Sequence, residues 1–120
     1  MDSVVYLDKN SQFVSDYVDF LVSYTIEALD ELDKFIFRDK KYVINKQLFK
    51  LYWCLESLKN FYDKVDFSTL ESLLKRSIAQ NEYTVREKAA QIIQKSGMFI
   101  ELKAKLMNDE NYYVRAVFMQ

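Results

Sequence analysis

Asp16, Asp19, Phe20, Ser23, Glu27, Asp30 and Glu31 recur at helical spacing and place several carboxylates around one aromatic ring. Grouped carboxylates can trade protons, hold a hard cation or attract a basic macromolecule. The first two uses need companions that this chain largely lacks. Its 120 residues include no histidine, which removes histidine acid–base catalysis, His-assisted serine chemistry and His-ligated zinc. One cysteine, Cys54, forbids an internal disulfide or a thiolate cluster, and its apolar setting predicts a buried, inert thiol. The acid pairs Asp30/Glu31 and Asp109/Glu110 do not have the spacing of an EF-hand loop, and no nucleophile has an evident base. We therefore expect no catalytic site, no metal and no cofactor. Attraction of a basic protein is the use that remains, with Phe20 as an apolar anchor and the acids as steering charges.

Such a stripe needs a helix to hold it. Stepping about 100° per residue from Asp16, Tyr17, Leu21, Tyr24, Ala28, Leu32 and Phe35 gather on one side, widened by Val14, Val18, Leu29 and Ile36. The acids lie opposite, so the pattern predicts an amphipathic helix from a cap at Asn10 or Ser11 to about Phe37. Lys34 is the one lysine placed to relieve the stripe from within, so the helix is expected to carry self-repulsion.

The chain has no proline and one glycine, Gly97. Strand-rich folds consume both in tight turns, so their scarcity predicts long helices with short connections in a single domain. A second helix is expected over about 43–63, with Leu48, Leu51, Tyr52, Leu55, Leu58 and Tyr62 as its main apolar face. Phe49 and Trp53 project from the other side, and core packing between two layers is the expected reason. Ser68 and Thr84, each followed three residues later by glutamate, match capping boxes for a third and a fourth helix. Gly97 suits a left-handed terminator, a fifth helix is expected near 98–107, and the run 108–111 should cap a short last one.

Residues 1–37 carry eight acids and two bases, a balance of −6, and residues 38–120 carry ten and fifteen, a balance of +5. This asymmetry concerns partners and fields. The basic segment is interleaved with acids and the overall pI is near 5.5, which argues against a nucleic-acid footprint. The longest uncharged run is too short to span a bilayer and no secretory core is evident, so a soluble cytoplasmic protein is expected.

Tyr83-Thr84-Val85-Arg86 returns 29 residues later as Tyr112-Tyr113-Val114-Arg115. With Asp109, Asn111 and Ala89, these residues resemble HEAT-type helical repeats over about 68–120. In that family an Asp-rich turn precedes a Val-Arg pair that opens the second helix of each hairpin. Gln80 stands at the earlier turn position, and Phe118 at a position usually held by a small residue. The resemblance implies antiparallel helical hairpins in a right-handed solenoid fragment of five to seven helices, with residues 1–67 supplying long N-terminal helices. It also implies that Arg86, Asp109 and Arg115 brace adjoining units. Taken with the acidic face, the small size and the missing catalytic groups, the chain is similar in type to bacterial immunity proteins, including those of contact-dependent growth inhibition. That similarity implies an inhibitor that covers a basic toxin domain, such as a nuclease. The alternatives are a regulatory subunit that docks or dimerises through its open repeat end, and a HEAT-like nucleic-acid binder.

Overall fold

The computed structural model describes residues 12–34 and 41–119. Among them are six α-helices: α1 (Gln12–Lys34), α2 (Lys41–Leu58), α3 (Phe67–Ile78), α4 (Tyr83–Ser96), α5 (Ile100–Met107) and α6 (Tyr112–Ala116). Single 3₁₀ turns follow α2 at Tyr62–Lys64 and α6 at Val117–Met119. The expected cap at Asn10 or Ser11, and Phe35 and Ile36, lie outside the described residues.

α1 buries Val14, Val18, Leu21, Thr25, Ala28, Leu29 and Leu32, a face that follows the 3.6-residue period of its apolar positions. α1 and α2 pack as an antiparallel hairpin. Lys50 meets Glu27 and the Tyr24 ring, while Cys54, one turn further along α2, meets Thr25. α2 and α4 run parallel, since Lys88 reaches Glu56 and Tyr52 and Lys59, further along α2, reaches Gln91. Arg76 on α3 reaches Asp30 and Asp33, which sets α3 beside α1. The hairpins α1–α2 and α3–α4 therefore lie side by side in two layers, α1 with α3 and α2 with α4.

One core runs through both halves of the chain. Leu29, Leu51, Leu55, Leu58, Leu70, Leu73, Leu74, Ile92 and Ile93 are all buried in it, and each such side chain contributes about 1.5–3 kcal/mol by leaving water. Val14, Val18 and Phe61 make a smaller cluster near the start of α1.

Three local expectations are corrected. Asp66, not Ser68, caps α3, because its carboxylate accepts from the Thr69 amide at 3.2 Å and from the Ser68 hydroxyl at 2.7 Å. α4 starts at Tyr83 with Glu82 as its cap residue, and Thr84 donates its hydroxyl to Glu82 at 2.9 Å instead of capping the helix. α5 starts at Ile100 because Gly97 and then Phe99 both take left-handed backbone, with φ of 69° and 61°. That conformation disfavours phenylalanine by about 1–2 kcal/mol. The stack of its ring on Phe67, at 4.9 Å, helps offset the strain.

Candidate functional site

α1 presents the predicted stripe, divided between its two neighbours. Asp16, Asp19, Phe20, Ser23, Glu27 and Asp30 are exposed, and Glu31 is half-buried. Tyr24 and Glu27 face α2, Asp30 faces α3, and Asp19 and Ser23 border a dip shared with Asp66 and Thr69 at the start of α3. On the α2 side, Lys50 Nζ lies 2.9 Å from Glu27 Oε1 and 3.7 Å from the centre of the Tyr24 ring. On the α3 side, Arg76 Nη2 donates to both Asp30 and Asp33 at 2.9 Å. Lys34 pairs with Glu31 at 2.9 Å.

The expected self-repulsion is thus relieved across helices, by cations about 23 and 46 residues distant in sequence, which no reading of one helix reveals. Burial works against the Arg76 charge, yet its hydrogen bonds to Asp30 and Asp33 raise its pKa further above the ordinary value. Asp16 and Asp19 have no cationic partner among the described residues. Gln12 donates to Asp16 at 2.8 Å.

Phe20 is 57% exposed and stacks on Tyr24 with ring centres 5.2 Å apart and planes 20° from parallel. Its neighbours across the hairpin were expected in the core and are not there: Phe49 is 66% exposed and Trp53 52%, with Tyr42 at 81% on the same face. On α2 these three fall opposite Leu51, Leu55 and Leu58, which are fully buried. α4 packs against the side of α2 bearing Tyr52, Glu56 and Lys59, so its layer passes beside Phe49 and Trp53 without covering them. The wheel places Tyr42, Lys46, Phe49 and Trp53 together, and that was the available signal. Exposed aromatics thus stand on both helices of the hairpin, Phe20 and Tyr24 on α1 and Tyr42, Phe49 and Trp53 on α2, with Lys50 of α2 against the Tyr24 ring.

Beyond Phe49 and Trp53 the surface dips into a groove of about 480 Å³ bordered by Asn45, Leu48, Tyr52, Glu82 and Thr84. An ion cluster lies next to Tyr52, whose ring centre is 5.0 Å from Lys88 Nζ. Glu56 pairs with Lys88 at 2.7 Å and with Lys59 at 2.9 Å. Burial pushes the Glu56 carboxyl up, but hydrogen bonds from these two lysines outweigh it and hold the group below the usual carboxylate range.

Arg86, Asp109 and Arg115 meet near the start of α4. Arg86 Nε and Nη2 donate to the two Asp109 oxygens at 2.8 and 3.0 Å, and Nη1 donates to the Gln80 and Asn81 carbonyls at 2.9 and 2.8 Å. Arg115 donates to the Asp109 carbonyl at 2.7 Å. Each arginine thus bonds the carbonyl six residues before it, the same geometry in both copies of the phrase. Tyr83 of the first copy stacks on Tyr113 of the second, with ring centres 6.0 Å apart.

Among the described residues no group of three or more acids or thiols could hold a metal ion, and no described helix is long and apolar enough to cross a membrane. Cys54 is buried, and burial pushes its thiol up despite a hydrogen bond with Thr25, the setting of an unreactive cysteine. Comparison with known proteins gives no match to a family model, a curated protein or a solved structure.

Proposed function

We propose that this chain is a non-enzymatic protein-binding module whose contact surface is the outer face of α1 and α2. The supporting observation is the set of exposed aromatics Phe20, Tyr24, Trp53 and Phe49 alongside the carboxylates of Asp16 and Asp19, which have no cationic partner among the described residues. Aromatic centres rimmed by charge are where protein interfaces concentrate their binding energy, and the rim selects the sign of the partner. The complement is a basic protein.

In its specific form the module is an inhibitor of the immunity or antitoxin type, acting in the bacterial cytoplasm, that covers the cationic active site of a toxin such as a nuclease. The side-by-side hairpins and the matched bonds of Arg86 and Arg115 support reading the scaffold as HEAT-like, the start of a right-handed solenoid. The test is to coexpress the chain with the products of its flanking reading frames and measure affinity in the complex. Combining Asp16→Lys, Asp19→Lys and Phe20→Ala should weaken binding by about a hundredfold or more and leave the thermal unfolding transition in place. Unchanged affinity in that variant would remove this face from the account.

A second reading draws on the opposite end, where Met107, Tyr112, Tyr113 and Met119 are exposed. Apolar surface there would suit a subunit that docks on a larger assembly or pairs with a second copy. Light scattering at high concentration separates the two, since the inhibitor reading expects a monomer.

A further inference from the structure

The groove between α2 and the start of α4 offers a different chemistry from the acidic stripe. Its aromatic walls lie in more than one plane: Tyr52 and Trp53 have ring centres 5.3 Å apart with planes 83° apart, and Phe49 and Trp53 have values of 6.1 Å and 68°. Facing them is one charged lining residue, Glu82. Thr84 fixes that carboxylate by donating to Oε2 at 2.9 Å, and Glu82 makes no salt bridge among the described residues. The neighbouring cations are already committed: Arg86, which feels the Glu82 charge, to Asp109 at 2.8 Å, and Lys88 to Glu56 at 2.7 Å. Lys88 also lies 5.0 Å from the centre of the Tyr52 ring, so one ring of the groove already receives a cation.

We propose that this groove seats an arginine side chain of the protein partner, stacked on Trp53 and Phe49 and paired with Glu82. This deepens the reading above and rests on it, because the groove adjoins the same α1–α2 face. A guanidinium is flat and weakly hydrated, so it stacks on rings while its fork of N–H groups engages a carboxylate. An apolar side chain would suit the rings but would strip water from Glu82 with nothing in return. An acidic one would be repelled.

Trp53 is the sole tryptophan, so its fluorescence reports on this groove. The full chain is titrated with the peptide acetyl-Gly-Arg-Gly-amide and with the citrulline counterpart, which has nearly the same shape and no charge. The arginine peptide should give a saturable change, and the citrulline peptide should bind about tenfold more weakly or worse. Glu82→Gln should remove most of that difference, and Phe49→Ala should weaken the arginine peptide while circular dichroism stays unchanged. An equal response to both peptides, no saturable response to either, or full arginine affinity in Glu82→Gln would each overturn the proposal. These peptides probe the groove alone, so their failure leaves the test of Asp16, Asp19 and Phe20 standing.

Discussion

Asp109 joins three parts of the chain through one side chain and its own carbonyl. Its carboxylate accepts two bonds from Arg86 and one from the Asn111 amide, and its carbonyl accepts from Arg115. Burial pushes the carboxyl up, but the hydrogen bonds from Arg86 and Asn111 and the two arginine charges outweigh it, so the group lies below the ordinary carboxylate range. The sign of its pH dependence follows. A depressed folded pKa gives stability that is fully present above the unfolded value of about 3.9 and is lost as pH falls through the folded value. The Arg86 and Asp109 side chains are 8% and 10% exposed, so Asp109→Ala would leave a buried guanidinium with only the exposed Glu110, at 3.9 Å, as counter-ion. We expect a loss of about 3–5 kcal/mol in urea unfolding at pH 7, with a weaker dependence on acid than the parent chain. A loss below about 1 kcal/mol, the scale of an exposed pair, would show that this brace is dispensable.

At the scale of elements, helix positions followed the apolar period closely and helix starts did not. Ser68 and Asp66 both belong to residue types that cap helices, and the Ser-x-x-Glu pattern favoured Ser68. The chain turns two residues earlier, so the Asp66 carboxylate reaches the Thr69 amide and Ser68 merely donates to it. Hydrogen bonds from Ser68 and from the Thr69 amide hold the Asp66 carboxyl below its usual range. Because its carboxylate is the cap, Asp66→Ala should lower the thermal unfolding midpoint clearly more than Ser68→Ala does. The reverse order would restore Ser68 as the cap. Gly97 was legible as a terminator from its residue type. Phe99 was not, because nothing in its type announces a left-handed backbone that a stack on Phe67 helps to hold.

For the whole molecule, what could be read from sequence was the all-helical class, the first hairpin's apolar faces and the repeated Val-Arg phrase. These are local periodicities, and they survive in one dimension. What could not be read depends on which helices become neighbours. The cations that balance Glu27 and Asp30 come from α2 and α3, and Phe49 and Trp53 stay outside because α4 packs beside them and not over them. The acidic stripe was therefore visible early, whereas the exposure of Phe49 and Trp53 beside a groove was not. The central claim is that a protein partner covers this combined face. Hydrogen exchange of the chain, alone and in complex with the product of a flanking reading frame, measures it directly. The account predicts slowed exchange along α1, α2 and the start of α4, with α5 and α6 unchanged. Protection confined to α5 and α6, with α1 and α2 exchanging as in the free chain, would contradict it.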